Sequence, residues 1–217
     1  MYEQVKNDPE IIDIYKKITD FEKENNHWGH HNYNHVINVA NIIEKVLTQL
    51  DYSKDIIEEA KVAAILHDAG VIKGKDGHAQ RSFEFAKDYI ERKNISLKYK
   101  EEVLEAIKTH SVGFDTDNII ALVLILADKL DITKKRVTEA GHQVVGMRQM
   151  GYINNIDIKI DDDKLLVRFE ADPNIDINEL LEYYFMKKVL KSTRAFANKI
   201  NRKSIVYLNE EKLDENF

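Results

Sequence analysis

The sequence predicts an all-α helical bundle with a C-terminal β-hairpin and one long closing helix appended. Three observations lead there. Apolar residues recur at helical spacing through most of residues 1–150. Only two prolines and eight glycines interrupt 217 residues, which favours long helices over turns. The period then changes. Ile156, Ile158 and Ile160, followed by Leu165, Val167 and Phe169, alternate with polar residues on either side of Asp161-Asp162-Asp163. That is the pattern of a hairpin with one apolar face and a solvated turn. Residues 1–150 are therefore expected to form the helical domain and 151–217 the appendage.

The elements follow in order. Pro9 suits the first turn of a helix over Pro9 to Lys23. A polar stretch, Asn25 to Asn34, holds His27, His30 and His31. The second helix, Asn34 to Leu50, lines up Val36, Val39, Ala40, Ile43, Val46 and Leu47. Ser53 caps a third, with Ile56, Ala60, Ala63 and Ala64 on one side, running into His67-Asp68. Gly70, Gly74 and Gly77 mark a loop, and a fourth helix spans His78 to Arg92. Ser96 caps a fifth, which carries Val103, Leu104 and Ile107 and ends near His110. The sixth, Asn118 to Leu130, is apolar on every side until Asp128. A seventh spans Thr133 to Met150, and an amphipathic helix from Asn178 to Asn201 closes the fold.

Composition narrows the function classes. Apolar residues at 43% and charged residues at 32% describe an ordinary globular chain. With no cysteine, disulfides, thiolate metal sites and a cysteine nucleophile are excluded, so any metal is held by nitrogen and oxygen. Net charge is −6 and the basic residues are mixed among acids, which argues against nucleic acid as a partner. The longest apolar run, Ile119 to Ala127, is far short of the roughly 20 residues that span a bilayer. Met1-Tyr2-Glu3 opens without a basic region and apolar stretch, so no signal peptide is expected and the location expected is cytoplasmic.

The chemistry-bearing residues sit where a bundle buries its side chains. Asp128 ends nine consecutive apolar residues, and a carboxylate there is costly unless paired or metal-bound. On that residue alone, a salt bridge and a metal are equally good readings. His67 continues the stripe of Ala60, Ala63 and Ala64, with Asp68 beside it at a helix end. His35 shares a face with Val39 and Ile42, and His110 follows Val103 and Ile107. His78 opens the helix after the glycine loop. Alone, His67, His35 and His110 each read better as core residues than as ligands, and His78 reads about equally well as a helix-start or surface residue. Four helices each delivering an inward histidine or aspartate match the way bundles build metal sites from facing helices.

The ordered string His35, His67-Asp68, His78, His110, Asp128 resembles the HD-domain superfamily of metal-dependent phosphohydrolases, whose pattern is H…HD…H…H…D. The resemblance rests on the stretches beginning His35-Val36, Ala64-Ile65-Leu66-His67-Asp68-Ala69-Gly70, Gly77-His78-Ala79, Ala106 to Ser111 and Ala127 to Asp131, and covers residues 30 to 135. It implies that His35, His67, Asp68 and Asp128 hold a first divalent metal. It further implies that His78 and His110 add a second, with Asp68 shared and with His67 and Asp68 at the catalytic centre. The set is similar to bacterial HD proteins that split diadenosine tetraphosphate, and less so to the cyclic-dinucleotide enzymes. The implied reaction cleaves a phosphoester or phosphoanhydride of a nucleotide-like substrate by a metal-activated water. Iron, manganese, zinc, nickel or cobalt suit such ligands. Many members carry lysine three residues after the aspartate. Here that position is Val71, leaving Lys73 or Lys75 to supply the charge. The GYP signature is absent and Ser111 follows His110.

Arg81, one turn after His78, together with Lys73, His31 and Lys129, are the expected substrate contacts. Two alternatives stand beside this reading: a non-catalytic sensor that binds a nucleotide or metal, and a one-metal enzyme resembling a 5′-nucleotidase in which His78 and His110 only touch phosphate. The partners expected are a small phosphate substrate and a second copy of the chain, with no membrane.

Overall fold

A computed structural model describes residues 1–213. Close packing divides the chain into two units, residues 1–25 with 31–128, and residues 26–30 with 129 onward. Residues 26–30 join the second unit because Gly29 bridges Val137 and His30 N donates to Arg136 O at 2.9 Å.

The first unit is helical. It contains α1 (Tyr2–Lys6), α2 (Pro9–Glu24), α3 (Tyr33–Gln49), α4 (Lys54–Leu66), α5 (His78–Arg92), α6 (Lys100–Thr109) and most of α7 (Ile119–Leu130). Local chemistry sets most boundaries. Asp8, Asn32 and Ser53 each accept a backbone N–H at the start of α2, α3 and α4, the usual role of these side chains at an N-cap. Asn118 Oδ1 does the same for Ile120 N and Ala121 N at α7. The core is α4, packed against α3 and α6, with Ala60 and Val62 through Leu66 wholly buried.

Ser96 does not cap α6. That helix starts at Lys100 because Glu59 of α4, itself buried, accepts Lys98 N at 2.7 Å and Tyr99 N at 2.8 Å. The expected glycine loop after Asp68 contains a 3-10 turn, Ala69–Lys73. Tyr15 of α2 reaches across to the end of α4, where its hydroxyl donates to Ile65 O at 2.5 Å.

The second unit corrects the all-α expectation. It holds a four-stranded sheet in the order β1 (Ile153–Ile160), β2 (Lys164–Ala171), β3 (Lys203–Leu208), β4 (Glu211–Lys212). The expected hairpin is β1–β2, turned at Asp161, whose Oδ1 accepts Asp163 N and Lys164 N. The sheet continues because β3 returns parallel to β2, placing Val206 beside Val167 and Leu208 beside Phe169. The crossover between them carries α9 (Ile177–Glu182) and α10 (Tyr184–Lys199), and α10 packs on β2 and β3.

The single closing helix is therefore two. The chain is extended at Tyr183 (φ −67°, ψ 123°), which sets its side chain against Gly146, where a Cβ would meet Tyr183 Cβ at 2.5 Å. Nor does a helix span Thr133 to Met150. That stretch forms two 3-10 turns, Lys134–Arg136 and Gly141–Gln143, and the one-turn α8 (Met147–Met150). Gly141 packs on the backbone of Trp28, and Gly146 takes φ +80°, which favours glycine. Among the described residues no helix is long and apolar enough to cross a membrane.

Candidate metal centre

Six side chains of the first unit converge. His35 lies in the first turn of α3, Asn32 capping its backbone N–H at 3.1 Å. His67 and His110 are the C-caps of α4 and α6. Asp68 follows His67, His78 opens α5, and Asp128 sits in the last turn of α7. Helix ends matter here because their last carbonyls lack helical partners. His67 Nδ1 bonds Ala64 O at 2.8 Å, His110 Nδ1 bonds Ile107 O at 2.7 Å, and His78 Nδ1 bonds Lys75 O at 2.6 Å. A carbonyl only accepts, so each Nδ1 carries the proton and donates it. Each ring is thereby fixed with Nε2 turned to its neighbours, the arrangement seen in metal-binding histidines.

The Nε2 atoms gather round one carboxylate. Asp68 Oδ2 is 3.4 Å from His35 Nε2 and 3.2 Å from His67 Nε2. Asp68 Oδ1 is 3.5 Å from His78 Nε2 and 3.6 Å from His110 Nε2. Asp128 Oδ1 joins the first group, 3.3 Å from His35 Nε2 and 3.9 Å from His67 Nε2. All are buried except His78, whose side chain is 18% exposed and forms the open side.

Several features fit a bound cation. His67 Nε2 and Asp68 Oδ2 are buried without a hydrogen-bond partner, a costly state that a metal relieves. His78 Nε2 and His110 Nε2 lie 2.9 Å apart. With both Nδ1 atoms donating to carbonyls, two lone pairs face each other and repel unless positive charge sits by them. His35, His67 and Asp128 form one group able to hold an ion, and His67, Asp68 and His110 another. The field agrees. Burial disfavours a charged His67, but Asp68 and Asp128 outweigh it and raise the imidazole to about 10. Burial also opposes the charge on Asp68, and the histidines, His67 foremost, hold its carboxyl well below the usual range. His110 moves the other way, lowered chiefly by burial. The carboxylates draw positive charge to this cluster, and a divalent ion supplies it as a proton does.

The expected substrate contacts have varied placements. His31 lies beside the cluster, its ring 6.1 Å from that of His35. Arg81 turns to the loop instead, donating to the carbonyls of Gly70 at 3.0 Å, Asp76 at 2.6 Å, and Gly74. Its fork clamps the segment between Asp68 and His78. Lys73 is exposed on the 3-10 turn. Lys129 belongs to the second unit, where it is buried with Nζ 5.9 Å from the Phe185 ring centroid.

Three supports escaped the sequence reading. Ser82 Oγ accepts Gly70 N at 2.9 Å inside the core. Tyr15 braces α4 just before His67 and Asp68. Glu22 lies on the buried stripe of α2 with Ile11, Tyr15 and Ile18, and a carboxylate in an apolar stripe is a signal visible in sequence.

Comparison with known proteins agrees with this geometry. Residues 32–133 match the model of the HD domain, a stretch that contains all six converging residues. The match supports the HD-domain superfamily, whose members are generally metal-dependent phosphohydrolases that bind divalent ions. No curated protein is detectably similar to the chain.

Proposed function

We propose that this chain is a two-metal phosphohydrolase that cleaves a phosphoester or phosphoanhydride of a nucleotide-like substrate. The carrying observation is the division of Asp68, with one oxygen facing His35 and His67 and the other facing His78 and His110. A carboxylate set between two imidazole pairs suits a ligand shared by two cations. His35, His67, Asp68 and Asp128 would hold one ion, and Asp68, His78 and His110 the other. Nitrogen and oxygen donors of this kind suit iron, manganese, zinc, nickel or cobalt. When bound, the metals lower the pKa of a coordinated water and offset charge on the phosphoryl oxygens.

The chain's own groups do the rest. The carbonyls behind His67, His78 and His110 keep each Nε2 aimed. Arg81 holds the loop that spaces Asp68 from His78. The apolar helices around the cluster exclude water, which strengthens every charge interaction inside. His78 marks the face from which a phosphate enters.

A phosphate-release screen over mononucleotides, dinucleoside polyphosphates and cyclic dinucleotides tests the proposal. Turnover of at least one class is expected, lost on chelation and restored by a divalent transition metal. Turnover that survives complete metal removal contradicts it, as does metal-loaded protein inert across the whole panel.

A further inference from the structure

The geometry points to a ligand site in the second unit: the cleft lined by His142, Arg148 and Tyr152 binds a small molecule through its phosphate or carboxylate group. The site owes nothing to the phosphohydrolase reading. All its residues lie beyond residue 133, where the match to the HD domain ends, and none is among the metal ligands proposed above.

The cleft encloses about 500 Å³ and is lined by His142, Arg148, Gln149, Gly151 and Tyr152. Small-molecule sites typically run from roughly 300 to 1,000 Å³. No carboxylate is among these five residues. Three of them bring N–H or O–H donors that an oxyanion can use, a guanidinium, a phenol and an imidazole, and all three are exposed. Gly151 gives the imidazole its seat. Its φ of −61° is ordinary backbone, so conformation does not call for glycine there. Space does: a Cβ would stand 2.7 Å from His142 Cε1 and 3.1 Å from His142 Nδ1. The bare Cα lets the ring lie against the chain at the wall of the cleft.

Arg148 is held in place although its side chain is 48% exposed. Its Nε donates to Glu179 Oε1 at 2.8 Å and its Nη2 to Glu179 Oε2 at 2.5 Å. Glu179 is fixed in turn. Its Oε1 also accepts Gly146 N at 2.7 Å, and its partners, Arg148 foremost, pull its carboxyl down to about 2. Beside it the buried Gln149 accepts Asp176 N at 2.9 Å. These bonds brace α8 against the start of α9. The pairing uses one edge of the guanidinium and leaves the two N–H groups of Nη1, which meet no acceptor among the described residues. A tether between α8 and α9 explains the pair but not the rest, since an exposed ion pair stabilises by only about 0–1 kcal/mol and needs neither Tyr152 nor a glycine beneath His142. A guanidinium fixed on one edge and open on the other is preorganised for an oxyanion.

The test uses the full chain loaded with zinc, titrated separately with inorganic phosphate, adenosine 5′-monophosphate and succinate. The ring-proton NMR signals of His142 and Tyr152, identified through His142→Gln and Tyr152→Phe, report on this cleft apart from any binding at the metal centre. At least one probe shifts both signals saturably. Saturation by phosphate or by the nucleotide assigns the bound group as a phosphate, and saturation by succinate alone assigns it as a carboxylate. Arg148→Gln weakens that binding roughly 10- to 100-fold, as loss of a charge-assisted hydrogen bond does. Tyr152→Phe, which loses a neutral one, weakens it roughly 2- to 10-fold, read from the His142 signal. Thermal melts check that each variant is folded. If Arg148→Gln does not fold, Tyr152→Phe and His142→Gln decide, and unchanged affinity in both overturns the site. Absence of a saturable shift with all three probes also overturns it. So does an affinity in folded Arg148→Gln equal to that of wild type, which leaves Arg148 as a tether between α8 and α9.

Discussion

Asp68→Asn is expected to reduce phosphate release by roughly 10³-fold or more while leaving the helices folded. The estimate follows from what one oxygen pair does. Both imidazole groups lie within 3.2 to 3.6 Å of Asp68. An amide of the same shape keeps the volume, removes the negative charge, and offers a neutral oxygen to one group and an N–H donor to the other. An N–H cannot ligate a cation, so one metal position is lost outright and the other weakened. Loss of several kcal/mol of Lewis-acid stabilisation corresponds to about three powers of ten. The helices are expected to stay folded because the amide keeps the carboxylate's volume and Asp128 remains beside His35 and His67. Steady-state phosphate release, metal content and circular dichroism check this together. Wild-type turnover in a folded Asp68→Asn protein would show that the carboxylate is a structural partner of the histidines and no more.

Gly70→Ala is expected to have the largest effect of any single methyl group added to the first unit. A Cβ there would stand 2.4 Å from His78 O, 2.6 Å from Ser82 N and 2.8 Å from Arg81 Cβ. These are backbone atoms and a side-chain root of α5, not the tips of flexible chains, so they yield only if the helix moves. Gly70 is also tied to α5 at both ends, its N–H to Ser82 Oγ and its carbonyl to Arg81 Nε. Overpacking of this kind costs about 3 kcal/mol, at the upper end of the usual range. For a chain of this size that lowers Tm by roughly 6–12 °C. The movement also carries His78 away from Asp68 Oδ1, so under the two-metal proposal an ion at His78 and His110 should weaken before one at His35, His67 and Asp128. Thermal melts with and without added metal read both effects. A melting temperature within a degree of wild type would mean that α5 is not docked on the Gly70 turn.

Much of the first unit was legible in the sequence because its determinants are local. Asp8, Asn32, Ser53 and Asn118 each cap the helix that follows, and α5 runs over His78–Arg92 as its pattern indicates. The inward faces of His35, His67, His110 and Asp128 follow from helical spacing, so their convergence was legible too. What resisted depends on contacts far along the chain. β3 pairs with β2 in parallel across two helices, and nothing within Lys203–Leu208 names that partner. The stretch from Thr133 to Met150 carries helical spacing, but Gly141 against Trp28 and Gly146 against Tyr183 take the backbone elsewhere. Arg81 has the right spacing from His78 to face a pocket, yet the nearby carbonyls of Gly70, Gly74 and Asp76 claim its donors. Ser82 and Tyr15 were invisible for the same reason, since their partners are backbone atoms of another segment. Glu22 differs. Its place on the apolar stripe of α2 was readable, and only its partner was not.

Sharing of Asp68 between two ions is tested most directly by a metal titration of chelator-stripped protein with elemental analysis of the reloaded chain. Wild type should take up two ions per chain, and His110→Ala one. A wild-type stoichiometry of one, unchanged by His110→Ala, would contradict the two-metal centre and leave His78 and His110 as phosphate contacts.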